Sequence, residues 1–128
     1  MTTLGVRLAH VAPGEVDLAF AARPDLVQQN GFVHAGALAA VADSANGYAA
    51  FTLAPAGTDV LAVEFKINLL TPARAPRFVA RGRVLRAGRT LTVCRADVFG
   101  LGEAAGGAPA ETLVATMQST IIVLPARG

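Results

Sequence analysis

The chain has 128 residues, a length that fits one domain with one hydrophobic core. Its net charge is only +2, and its basic residues are scattered rather than interleaved with aromatic ones, which disfavours nucleic-acid binding. One cysteine and two histidines give no disulfide framework and no cysteine-based zinc site. We therefore expect a single domain over 1–128 that uses neither a metal nor an organic cofactor.

The apolar content indicates an oligomer. Mean hydropathy is +0.49, and apolar surface on this scale is usually covered by another subunit. The start of the chain lacks a secretory signal pattern and the lone cysteine fits a reducing setting, so we expect a cytoplasmic location. The apolar run 32–53 contains His34, Asp43 and Asn46, and we do not expect it to cross a membrane.

The predicted elements pass from strands to one helix and back to strands. Residues 4–11 and 15–22 alternate around a Pro-Gly turn and predict a hairpin. Residues 35–53 are rich in Ala, contain no β-branched run and end just before Pro55. This pattern predicts a helix, and its apolar character on all sides predicts that the helix is buried.

Four more strands are predicted after the helix. They cover 59–69, 77–86, 89–99 and 112–124. In the first of them, strict alternation assigns one face to Leu61, Val63, Phe65, Ile67 and Leu69. The order ββαββββ predicts an α+β fold in which a curled antiparallel sheet of five to six strands wraps around one long central helix.

Asp43 is the residue that folding alone does not explain. It is the only formally charged side chain between Asp25 and Asp59, and an unpaired buried carboxylate costs on the order of several kcal/mol. Its neighbours on the helix face are, apart from Asn46, only Gly and Ala: Gly36, Ala39, Ala40, Gly47 and Ala50. Asp43 is thus either a structural acid, paired with an arginine from a strand or with the same helix of a symmetry-related subunit, or a functional carboxylate in a shallow trough.

A polar segment, 28–36, leads into the predicted helix. The first backbone N–H groups of a helix have no partner within it and carry partial positive charge. An oxyanion could bind at this position.

The segments GFVHAGALAAVADSANGYAA, INLLTPARA and LRAGRTLTVCRADVFG resemble hotdog-fold acyl-CoA thioesterases, particularly the phenylacetate-pathway and 4-hydroxybenzoyl-CoA thioesterase group. The resemblance runs from about residue 4 to 124. It implies that Asp43 is the catalytic carboxylate, acting as nucleophile or as general base. It also implies that the Ala35 N–H polarises the thioester carbonyl, helped by Gln28, with Gln29 as the alternative.

The same resemblance implies an acyl-CoA substrate, with coenzyme A present only as part of that substrate. The helix of one subunit would face the loop of its partner, in a homodimer or a dimer of dimers. Two positions depart from the family pattern: Ala35 replaces a central glycine, and Gly47 replaces a frequent Ser or Thr.

Further candidates for substrate binding are His34, Gly36, Gly47, Arg86 and Arg89. The two arginines flank a predicted hairpin turn and either contact coenzyme A phosphates or form an exposed basic turn. Two other functions are compatible with the same fold. One is a hydratase or dehydratase using His34 and Asp43, and the other is a non-catalytic acyl-CoA-binding protein.

Overall fold

The computed structural model describes residues 5–27, 31–103, 106–107 and 109–125. The strands are β1 (Arg7–Ala12), β2 (Glu15–Ala21), β3 (Thr58–Leu69), β4 (Arg77–Ala87), β5 (Leu91–Glu103) and β6 (Pro109–Pro125), and the long helix is α1 (Ala35–Leu53). A short 3-10 helix, Pro24–Leu26, was not predicted. The predicted α+β class and the order of strands and helix are confirmed.

The six strands form one antiparallel sheet in the order β1-β2-β4-β5-β6-β3. Helix α1 contacts β2, β3, β4, β5 and β6. One helix can touch five strands only if the sheet curls around it, so the predicted wrapped arrangement is confirmed. Strands β1 and β3 are the two edges of the curled sheet.

The helix approaches the sheet closely because both surfaces carry small residues. An atom added as Cβ to Gly82 in β4 would lie 2.5 Å from the carbonyl oxygen of Ala45 in α1. Ala45 and Ala49 are fully buried. Gly82 therefore sets the distance between α1 and the centre of the sheet.

A buried polar contact joins the helix to β6. The Asn46 side-chain amide donates a 2.9 Å hydrogen bond to the Ser119 hydroxyl, and both residues are fully buried. Helical spacing placed Asn46 on the same face as Asp43, but the structure buries Asn46 in the core. The bond therefore fixes the rotation of α1 about its axis.

The predicted burial of α1 is confirmed for the side that packs on the sheet and is wrong for the opposite side. Tyr48 and Phe51 are 50% and 51% exposed, because the curled sheet leaves one side of the helix uncovered between its two edges. Among the described residues, no helix has the length and apolarity needed to cross a membrane.

The predicted alternation along β3 is interrupted by a β-bulge. Ala62 pairs with Ile121 and Glu64 with Thr120, so Val63 is an extra residue. Phe65 pairs with the buried Ser119 and faces the helix. Leu61 pairs with Ile122 and faces the opposite side, so its predicted face was wrong.

Replacing Gly82 by Ala tests the close packing. The new methyl group would overlap the Ala45 carbonyl, and we expect a loss of about 1–3 kcal/mol in the free energy of unfolding. Urea unfolding measures this loss. Gly102→Ala in β5 is the matched control, since nothing lies within 4 Å of its added Cβ. Equal stability of the two variants would contradict the assigned role of Gly82.

Candidate functional site

A cavity of about 310 Å³ lies between α1 and β3 and is lined in part by Asp43; we name it the Asp43 cavity. Its lining consists of Asp43, Ser44, Gly47, Tyr48, Phe51, Asp59, Val60 and Ala62. The cavity exists because the sheet edge at β3 does not close over the exposed side of the helix.

The Asp43 carboxylate has no compensating partner among the described residues. Its Oδ1 atom is buried and makes no hydrogen bond, and Asp43 takes part in no ion pair. Burial raises the pKa of Asp43 above its usual value of 3.8. The alternative of a structural acid held by an arginine thus receives no support from the described contacts.

Two other polar residues line the Asp43 cavity. Ser44, the residue after Asp43 on the helix, borders the same cavity as Asp43. Asp59, at the start of β3, was not predicted at all, and its Oδ1 accepts a 2.8 Å hydrogen bond from the Val60 N–H. Only the placement of β3 beside α1, which the sequence pattern does not give, brings Asp59 here.

Gly36 and Gly47 face open space in the single chain. No atom lies within 4 Å of a Cβ added to either residue. Neither glycine is therefore required for packing inside one chain, and both leave room on the exposed side of the helix.

The start of α1 borders a second cavity of about 310 Å³, which we name the helix-start cavity. It is lined by Phe32, Val33, Ala35, Leu38, Leu69, Leu70, Thr71, Pro72 and Ala73. Ala35 is the first residue of the helix, so its N–H has no acceptor within the helix. The N–H thus stays available to polarise a carbonyl oxygen.

The alanine at position 35 needs no glycine-like backbone. No described non-glycine residue has a positive φ, and Ala35 is therefore not strained by its side chain. The preceding residue, His34, has φ −58° and ψ 139° and is the N-cap. Its exposed side chain makes no capping hydrogen bond to the described residues, and the predicted role of His34 in substrate binding stays a prediction.

His34 is held by its backbone instead. Its N–H donates to the Leu26 carbonyl at 2.8 Å, and its carbonyl accepts from the Ala37 and Leu38 N–H groups. These bonds fix the chain direction at the point where α1 begins.

The structure does not bring the predicted site residues together within one chain. Ala35 and Asp43 line different cavities and are eight residues apart, which is about 12 Å along a helix. Arg86 and Arg89 are exposed on the β4–β5 hairpin, beyond Val84, which packs near Leu53 at the opposite end of α1 from Ala35. Gln28 and Gln29 lie outside the described residues.

Comparison with known proteins identifies the family. A family model described as the thioesterase superfamily matches residues 30–105. The fold is similar to that of a thioesterase family protein from Silicibacter pomeroyi, with 43% identity, a TM-score of 0.90, and coverage of 98% of this chain and 89% of that one. The chain belongs to the thioesterase superfamily and has its hotdog fold.

Two further relatives agree with this assignment. A variant of the phenylacetic acid degradation protein PaaI from Thermus thermophilus is 30% identical, with a TM-score of 0.78 and coverage of 95% and 96% of the two chains. SSO2140 of Saccharolobus solfataricus, a protein named as an esterase, is 30% identical over 90 residues. That match covers 70% of this chain and 64% of the relative, so the chain spans less than two thirds of that protein's length.

Replacing Asp43 by Asn is expected to raise the melting temperature at pH 7. Burial raises the pKa of Asp43 above 3.8, so the Asp43 carboxyl group binds its proton more tightly in the native state than in the unfolded state. The contribution of Asp43 to the free energy of unfolding therefore falls as the pH rises from 3.8 through the pKa of Asp43 in the native state. The asparagine side chain of Asp43→Asn carries no charge at any of these pH values, so the variant does not lose this stability.

Thermal unfolding of the wild type and Asp43→Asn across pH measures the effect. The gain should shrink below pH 3.8, where Asp43 is protonated in both states. Asp59→Asn, at an exposed position in the same cavity, controls for the loss of one charge. A lower melting temperature for Asp43→Asn at pH 7 would show that the carboxylate is stabilised in the native protein.

Proposed function

We propose that the protein is an acyl-CoA thioesterase, hydrolysing a small aryl or alkyl acyl-coenzyme A thioester to the free acid and coenzyme A. The observation that carries this proposal is Asp43, which lines a cavity and has a buried carboxylate oxygen with no hydrogen-bond partner among the described residues. Membership of the thioesterase superfamily supports the reaction class. The predicted cytoplasmic location is part of the same proposal.

Asp43 is proposed to supply the base or the nucleophile. As a base, its carboxylate takes a proton from water while the water oxygen attacks the thioester carbonyl carbon. The carbon–sulfur bond then breaks, and the proton passes to the departing thiolate. As a nucleophile, Asp43 attacks the carbonyl carbon and the carbon–sulfur bond breaks, which gives an anhydride and the coenzyme A thiolate. Water then hydrolyses the anhydride to two carboxylates; one of the two protons released protonates the thiolate and the other passes to solvent.

The Ala35 N–H is proposed to stabilise the negative charge that develops on the carbonyl oxygen. The helix start carries partial positive charge, and the N–H has no acceptor within α1. Because Ala35 and Asp43 are about 12 Å apart in one helix, one carbonyl cannot reach both groups of the same chain. We therefore propose that Asp43 of one subunit and Ala35 of its partner form the site in a homodimer or a dimer of dimers.

Asp43→Asn is expected to lower kcat for the best acyl-CoA substrate about 100-fold or more, since it removes the general base or nucleophile. Thiol release, followed across aromatic and aliphatic acyl-CoAs, measures the loss, and circular dichroism checks that the fold is retained. Wild-type turnover by Asp43→Asn would refute the assigned role.

The wild-type kcat/KM should fall as the pH decreases through a pKa above 3.8, because Asp43 acts as the carboxylate.

Asp59→Asn is the matched control for the activity loss, since it removes the other carboxylate of the same cavity. We expect it to have a much smaller effect than Asp43→Asn. Consumption of an enoyl-CoA without thiol release would instead identify the reaction as hydration.

Ala35→Pro removes the proposed oxyanion donor without disturbing the helix. Proline is favoured at the first helical position, and the extended His34 backbone, with ψ 139°, is compatible with a following proline. We expect retained secondary structure and a loss of about 100-fold or more in kcat.

Mixing the two inactive variants tests whether the site is shared. If Asp43 and Ala35 come from different subunits, a mixed dimer of Asp43→Asn and Ala35→Pro chains has one intact site. Random mixing should then restore about a quarter of wild-type activity. No recovery from co-expressed, mass-verified mixed dimers would place both groups of a site in one chain.

A further inference from the structure

A third cavity lies on the other side of Tyr48 and Phe51 from the Asp43 cavity. It has a volume of about 360 Å³ and lies between α1 and the β1–β2 hairpin; we name it the hairpin cavity. Its lining also includes Val6, Leu8, Val11, Val16, Leu18 and Thr52. Tyr48 and Phe51 line both cavities, so a molecule passing over these two rings reaches from one cavity to the other.

The hairpin cavity offers almost no hydrogen bonding. Thr52 and Tyr48 carry the only polar side chains on its described lining. The Thr52 hydroxyl is already engaged, because it donates to the Ala49 carbonyl at 2.6 Å and accepts from the Gly14 N–H at 2.8 Å. The cavity therefore suits a hydrocarbon group and not a charged or strongly polar one.

The apolar wall is open to a ligand in the described structure. Leu8 is 60% exposed and Val11 is 53% exposed, and both belong to the β1 edge. The cavity volume is more than twice the roughly 150 Å³ that holds a benzene molecule in an apolar protein cavity. A group of six or more carbons can therefore be accommodated.

We infer that the hairpin cavity binds the acyl group of the substrate, and that it selects alkyl or arylalkyl groups of about six carbons or more over acetyl. This inference rests on the proposed thioesterase function. A thioester carbonyl in the Asp43 cavity directs its acyl chain over Tyr48 and Phe51 into the hairpin cavity, while the coenzyme A portion leaves in the other direction.

Val11→Trp tests the inference by filling the cavity from an exposed position. Each methylene group excluded from an apolar site weakens binding about fourfold, so excluding several of them has a large effect. We expect the ratio of kcat/KM for octanoyl-CoA to that for acetyl-CoA to fall about tenfold or more. Leu113→Trp is the control, since Leu113 is exposed on β6 and does not line the cavity, and it should keep the wild-type ratio.

An unchanged ratio in Val11→Trp, in an enzyme that hydrolyses acyl-CoA, would overturn the inference and leave the proposed function intact. An equal loss for both substrates together with a changed oligomer mass in light scattering would show that this surface contacts a second copy. That result would also overturn the inference.

A binding measurement keeps the inference testable without turnover. The natural sequence contains no tryptophan, so Leu8→Trp in an Asp43→Asn background gives a single fluorescent reporter at the cavity rim. Octanoyl-CoA should shift its emission to the blue, whereas acetyl-CoA and free coenzyme A should not. If no acyl-CoA is hydrolysed by the wild type, the proposed function fails, and this measurement alone decides whether the cavity binds an acyl chain. The absence of a shift with saturating octanoyl-CoA would overturn the inference.

Discussion

The close contact between α1 and the sheet at Gly82 is the constraint on which the rest of the structure depends. The helix turns its small residues, such as Ala45 and Ala49, toward the strands, and a side chain at position 82 would push it away. The larger residues Tyr48 and Phe51 consequently lie on the side that the sheet does not cover. The Asp43 cavity and the hairpin cavity form along that uncovered side, and Asp43 lines the first of them.

The electrostatics of that uncovered side follow from the same arrangement. Asp43 lies partly under the β3 edge and has lost part of its contact with solvent, and no described basic group lies against it. This burial raises the pKa of Asp43, so the carboxyl group holds its proton more tightly than a free aspartate does. The positive start of the helix is at a fixed distance set by the helical rise. One chain therefore presents an acidic side chain and a helix N-terminus that are rigidly separated, and the Asn46 bond to Ser119 keeps both at a fixed rotation around the helix.

Local sequence patterns were sufficient for the fold but not for all of the site. Alternation and turn residues predicted every long strand, and the isolated charge of Asp43 drew attention to the residue that borders a cavity. The presence of Ser44 and Asp59 in that cavity could not be predicted, because it depends on how far the sheet curls and on which strand becomes its edge. The inward turn of Asn46 depends on a partner 73 residues away, which helical periodicity does not reveal.

The bulge at Val63 has a consequence for the edge of the sheet. Without it, a long outer strand would present an unbroken apolar row beside its unpaired backbone groups, which is the arrangement that favours indefinite fibre-like addition of further strands. The extra residue instead sends Leu61 to one surface and Phe65 to the other. The bulge thus divides the apolar row of the edge strand that borders the Asp43 cavity between the two surfaces of the sheet.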